Sequence, residues 1–142
     1  MIKFEELNEQ NHHITELSNI LHYLFKDRSM CDTHSCCDLF YNYVDLVKTH
    51  IDIVDKDMCS DLLKNRDEKI NSVAKNFLSG SVEIKKILRT FTKQWCPTKN
   101  KGEIKIKEHD KFLQDTDELF NLVLRRIQDE TEHLYPLVRS LT

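Results

Sequence analysis

Three side chains suited to holding a charge or a cation, His50, Arg126 and Glu130, sit in two stretches of the chain that look like versions of one pattern. The first runs His50-Ile-Asp-Ile-Val-Asp-Lys-Asp-Met-Cys-Ser-Asp-Leu-Leu63. The second runs Arg126-Ile-Gln-Asp-Glu-Thr-Glu-His-Leu-Tyr-Pro-Leu-Val138. With His50 laid on Arg126, Val54 falls on Glu130 and Met58 on Leu134. Each copy offers a metal-binding type where the other does not: His50 against Arg126, and Glu130 against Val54. Imidazole and carboxylate together suit first-row transition metals. Buried without a metal, the same groups would hydrogen-bond one another and fix the register of the segments that carry them.

These residues need long elements to bring them together. Hydrophobic periodicity supplies four helical segments. In the first, Leu7, Ile14, Leu17, Leu21 and Leu24 form an apolar row with Ile20 beside it. The second covers about residues 37–63, through Phe40, Tyr43, Val47, Val54 and Met58. The third covers about 70–95, through Val73, Phe77, Ile84, Ile87, Phe91 and Trp95. The fourth covers about 112–138, through Phe112, Leu119, Val123, Ile127, Leu134 and Leu137. Connections fall at 26–36, 64–69 and 96–111, the last punctuated by Pro97 and Gly102. Gly 2 and Pro 2 are too few for the turns of a β-rich fold of 142 residues. The expectation is an all-α chain: one domain over 1–142, an antiparallel up-down-up-down four-helix bundle.

Counting residues across such a bundle puts one polar layer at the height of His50. His13 lines up with Leu17, Ile20 and Leu24 and is expected to face inward, whereas His12 lines up with Glu16, Asn19 and Tyr23 and is expected to face water. Gly80, Ser81 and Ile84 come to the same height from the third helix, and Val123, Ile127 and Glu130 from the fourth, with Arg126 at the edge. The layer reads either as a metal site of His13, His50 and Glu130 or as a structural polar cluster of His13, His50, Arg126 and Glu130.

The ordered set of motifs resembles the hemerythrin-like family, also called HHE cation-binding domains. It comprises His12-His13-Ile-Thr-Glu-Leu17, then His50 with Val54-Asp55 and Met58-Cys59-Ser60. Ala74-Lys-Asn-Phe77 with Phe91 and Trp95 follows, and Phe112 with Arg126-Ile127, Glu130 and Leu134-Tyr135-Pro136 completes it. The resemblance spans about Leu7 to Val138. It implies a hemerythrin-like bundle whose relatives hold a diiron site with histidines and two bridging carboxylates. Carried over, His13, His50 and Glu130 remain. The carboxylate position of the second helix is Val54, a histidine position of the fourth is Arg126, and no histidine lies between His50 and His109. Asp55 is one residue off, about 100° around the helix from Val54.

Other features carry less chemistry. Cys31-Asp-Thr-His34-Ser-Cys36-Cys37 packs thiols and an imidazole into one stretch, readable as a zinc or redox loop or as a loop entering the second helix. Cysteine 5, an odd number, fits reduced thiols better than a disulfide framework. Lys99, Lys101, Lys105, Lys107 and Lys111 form a basic stretch that Glu103, Glu108 and Asp110 dilute. At net charge −3 the chain is not expected to bind nucleic acid. With Gly 2 there is no phosphate-cradling loop, and no nucleophile–base motif stands out. Met1-Ile-Lys-Phe-Glu-Glu turns polar at once, so a cytoplasmic protein without membrane association is expected.

The functional expectation is a non-enzymatic hemerythrin-like binding or regulatory protein that has lost most of its diiron ligands. It would hold no cofactor and act on a protein partner. One alternative is an iron- or zinc-binding oxygen or redox sensor of the same family. Another is a sigma-factor-binding regulator, since Val44-Asp45 and the acidic Asp55 resemble the all-helical bacterial regulator of sigma D.

Overall fold

A computed structural model describes residues 3–31, 33–95 and 108–141, and among them every regular element is helical. Helix α1 spans Phe4–Lys26 and α2 is a single turn, Arg28–Cys31. Helix α3, His34–Val54, runs into a π-helical turn π1, Asp55–Cys59, and then α4, Ser60–Leu63. Helix α5 spans Glu68–Trp95. Helix α6, His109–Asp129, continues through a second π turn π2, Glu130–Leu134, into α7, Tyr135–Leu141. The all-α expectation therefore holds. No described helix is long and apolar enough to cross a membrane.

Local chemistry sets the breaks. Lys26 ends α1 because Asp27 leaves the helical region, at φ −96° and ψ 110°. The Asp27 carboxylate then accepts from the Ser29 backbone N–H at 3.0 Å and from its hydroxyl at 2.6 Å, which starts the turn of α2. Thr33 caps α3, its hydroxyl accepting from Cys36 N–H at 3.2 Å. The expected 26–36 connection is thus largely helical, and the second long helix begins at His34 rather than near Cys37. Between α4 and α5, the Asn65 and Asp67 side chains accept from the N–H groups of Asp67 and Lys69, and the Asn71 amide donates to Leu63 C=O at 2.7 Å. Pro136, which has no N–H to donate, stands just past π2, where the helical ladder has already been re-registered.

The core has two parts. One is aromatic: Phe25, Phe40, Tyr43, Phe91, Trp95, Phe112 and Phe120 gather around Phe112, whose ring centre lies 4.9 Å from that of Phe25 and 5.1 Å from that of Trp95. The other is mostly aliphatic and sulfur-bearing: Leu7, Val54, Met58, Cys59, Leu62, Ala74, Leu134, Tyr135 and Val138. The buried polar residues His50, Arg126 and Glu130 belong to neither and fall where the two meet, with Val47, Ile51 and Val123 on one side and Val54 and Leu134 on the other.

Helix α1 corrects the sequence reading. Its buried row is Leu7, Asn11, Ile14, Ser18, Leu21 and Phe25. Leu17 and Leu24 are only half-buried and Ile20 is 44% exposed. Two polar residues in the true row disguise it in the sequence. The row His13–Leu17–Ile20–Leu24 lies beside it, so His13 is exposed like His12.

Phe112→Ala should lower unfolding free energy by about 3–5 kcal/mol, since it empties the centre of the aromatic cluster. Ile20→Ala should stay within about 0.5 kcal/mol. Urea denaturation followed by far-UV circular dichroism distinguishes the two.

Candidate functional site

The site is built around one carboxylate. Glu130 heads π2 and is 0% exposed. Its Oε1 meets His50 Nε2 at 2.6 Å and accepts from the Tyr135 hydroxyl at 3.0 Å. Its Oε2 accepts from Arg126 Nε at 2.7 Å. A buried carboxylate is tolerable only with this kind of pairing. Burial pushes the Glu130 carboxyl up, but the His50 hydrogen bond and charge, with those of Arg126, outweigh it and hold the group below its ordinary range.

The partners are held in turn. Nδ1 of His50 lies 2.8 Å from Gln10 Oε1, so α1 fixes the far side of the ring. With Nε2 donating to Glu130, the Gln10 amide orientation decides whether Nδ1 donates or accepts. Asn11 Nδ2 donates to the Tyr135 hydroxyl at 3.2 Å, tying α1 to α7. Arg126 spans to α5: Nη1 donates to Phe77 C=O at 2.8 Å and Nη2 to Ser81 Oγ at 3.1 Å. Its guanidinium carbon lies 4.9 Å from the Phe77 ring centre. Ser81 Oγ also lies 2.8 Å from Asp55 Oδ1 and 2.9 Å from Phe77 C=O.

Asp55 heads π1 as Glu130 heads π2. Its carboxylate lies 3.7 Å from Arg126 Nη2. Burial raises the Asp55 carboxyl above its ordinary range, opposed by the Ser81 hydrogen bond and the Arg126 charge. Nearby, burial pushes the Cys59 thiol up to about 12, reinforced by Asp55. The π turns re-register the two half-segments. The sequence overlay of Val54 on Glu130 holds in the burial pattern, since Val54, Met58, Cys59 and Leu62 are buried as Glu130, Leu134, Tyr135 and Val138 are, while Asp55, on the flank, also faces Arg126. Asp55 stays one helical step from the fully buried Val54 and reaches Ser81 and Arg126 from that flank. π turns interrupting α-helices occur often at functional positions.

The structure brings His50, Arg126 and Glu130 together and leaves His13 out. Gln10 and Asn11 fill the place assigned to His13, because the inward row of α1 is rotated by one residue step. The expected convergence of His13, His50 and Glu130 on a metal does not occur. Among the described residues, no three His, Cys, Asp or Glu side chains gather so as to hold a metal ion. The donor chemistry points the same way, since three of the roughly four lone-pair sites of Glu130 are taken by Arg126, Tyr135 and His50.

The thiol stretch does not assemble either. Cap formation at Thr33 makes residues 34–37 helical, so their side chains fan out. His34 is exposed and lies 3.3 Å from Asp38. Cys36 is buried, and burial pushes its thiol up to about 11. Cys37 is disulfide-bonded, contrary to the expectation of reduced thiols throughout. Cys31 is buried under α1, its Sγ 2.9 Å from Phe25 C=O and 3.8 Å from His109 Nε2. His109 is half-buried and lies 2.8 Å from the same carbonyl. His133 and Lys111 are exposed, and Lys99, Lys101, Lys105 and Lys107 lie outside the described residues.

The chain matches no family model, no curated protein and no solved structure.

Glu130→Gln should cost about 3–5 kcal/mol, because it leaves Arg126 buried without its charge partner. His13→Ala should change stability by less than about 0.5 kcal/mol. The pH dependence follows from the direction of the Glu130 shift. Its folded-state pKa is depressed, so its contribution is fully present above the ordinary value of about 4.3 and is lost as pH falls through the lower folded value. Urea midpoints between pH 3 and pH 6, on the order of the ordinary carboxylate range, should therefore fall on acidification, and less steeply in Glu130→Gln.

Proposed function

We propose that this is a hemerythrin-like antiparallel four-helix bundle in which an ion-paired network stands where relatives hold a diiron centre. It works as a non-enzymatic binding or regulatory module. One observation carries the reading: the residues at inherited ligand positions are bonded to each other. His50 meets Glu130 at 2.6 Å and Arg126 occupies a histidine position while donating to Glu130 at 2.7 Å. A guanidinium supplies fixed positive charge beside the carboxylates, as a cation would, but it cannot change oxidation state or open a coordination position.

The paired π turns support the common origin of the two half-segments, since each begins at an acidic residue facing Arg126. Four long helical stretches with α1 against α3 and α6, and α5 against α3 and α6, are what an up-down-up-down bundle requires. The iron- or zinc-binding alternative requires His50 and Glu130 to give up their mutual contact with Arg126 still beside them. A metal-free bundle of this kind acts through its surface and grooves, which suits a protein partner.

Untagged protein purified without chelator should carry iron and zinc far below one equivalent. Its visible spectrum in air should be featureless. Stoichiometric iron that is lost in His50→Ala would overturn the reading in favour of the cation-binding sensor.

A further inference from the structure

A groove of about 500 Å³ opens between α5 and α6, lined by Arg126 but not by Glu130. That volume lies within the range of small-molecule sites. Its walls are apolar: Val73, Phe77 and Ile84 from α5 and Leu122 from α6. Gly80 also lines it, mid-helix, where glycine is a poor helix former. A Cβ at Gly80 would come within 3.3 Å of Arg126 Nη1. The missing side chain is therefore what opens the groove down to the guanidinium.

Arg126 reaches the groove with donor capacity to spare. Nε–H is spent on Glu130, one Nη1–H on Phe77 C=O, and one Nη2–H on Ser81. Of the five guanidinium hydrogens, the second on Nη1 has no partner among the described residues, and Gly80 leaves it uncovered. The arginine side chain is only 7% exposed, so an oxygen bound there would be sheltered from water and its hydrogen bond would count for more.

Charge decides what kind of oxygen. The guanidinium already faces two carboxylates, Glu130 and Asp55. In the exposed part of the lining, Glu83 and Asp129 outnumber Arg125, with His133 beside them. A third carboxylate would enter an environment whose positive charge is already matched. An uncharged carbonyl would meet the free N–H without that repulsion.

We infer that this groove is a binding site for a small uncharged molecule with an apolar body and one carbonyl oxygen, the oxygen seated on Arg126 Nη1 beside Gly80. The inference deepens the binding-module reading and rests on it for its biological sense. Its chemistry, however, can be tested separately from the metal question.

The test is an NMR titration of the full chain with three probes of similar shape: acetophenone, benzoate and isopropylbenzene. Acetophenone should give saturable shifts at the amides of Phe77, Gly80, Ile84 and Leu122. It should bind about tenfold more tightly than either of the others, as expected for one sheltered hydrogen bond to a charged donor. Gly80→Leu, which fills the groove, should abolish the shifts. Gly80→Ala, which covers Nη1 with a methyl at a helical position, should keep or raise the melting temperature while removing the preference for acetophenone over isopropylbenzene. The inference fails if no probe saturates those resonances, or if benzoate or isopropylbenzene binds as well as acetophenone. It also fails if the folded Gly80→Ala protein keeps the ketone preference. Stoichiometric metal in the same sample would sink the metal-free reading and leave the groove standing, whereas a flat titration on metal-free protein sinks only the groove.

Discussion

A single carboxylate with no access to water organises this molecule. Glu130 remains ionised in the core because donors come to it from three directions: His50 on α3, Arg126 one turn earlier on its own helix, and Tyr135 just beyond π2. Arg126 in turn needs α5 for the rest of its hydrogen bonds, and His50 and Tyr135 need α1 for theirs. The four long helical stretches therefore meet in one polar layer between two apolar clusters. The apolar clusters provide most of the drive to fold, but they are tolerant of small slips. The ion-paired layer is not, because a slip would leave charges buried without partners. On this reading the layer sets register more than it adds net stability.

The π turns lie beside the layer. Each begins at an acidic side chain that faces Arg126. Asp55 sits one step around the helix from the fully buried Val54, and from that flank it lies within reach of Ser81 and Arg126. Burial raises the Asp55 carboxyl above its ordinary range, while the better-paired Glu130, though more deeply buried, stays below its own. The two acids thus stand in one layer with opposite shifts, the difference following from how many donors each receives.

Much of this was legible in the sequence, for physical reasons. Scarcity of glycine and proline excluded a strand-rich fold, and the periodicity of four amphipathic segments located the helices. Counting residues across the four helices placed His50, Arg126 and Glu130 in one layer. What escaped notice was phase. Asn11 and Ser18 interrupt the buried row of α1, so the cleaner-looking apolar row beside it drew His13 inward. The match of Val54 to Glu130 holds, both being fully buried, but the contact of the flanking Asp55 with Arg126 leaves no trace in hydrophobic periodicity. The partners Gln10, Asn11, Phe77 and Tyr135 carried no signal on their own, since polar or aromatic residues of those types are common on helix faces. The short helix at Arg28–Cys31 hid in a stretch whose polar residues act as turn and cap formers.

The central contention is that His50 and Glu130 serve each other rather than a metal. Ring-nitrogen NMR of His50, recorded while ferrous iron or zinc is added to metal-free protein, tests it most directly. An ion-paired layer leaves the His50 Nε2–H resonance in place and unbroadened through a full equivalent of either ion. Loss of that proton, with ring-nitrogen shifts or paramagnetic broadening that saturate at one equivalent, would show a working cation site and contradict it.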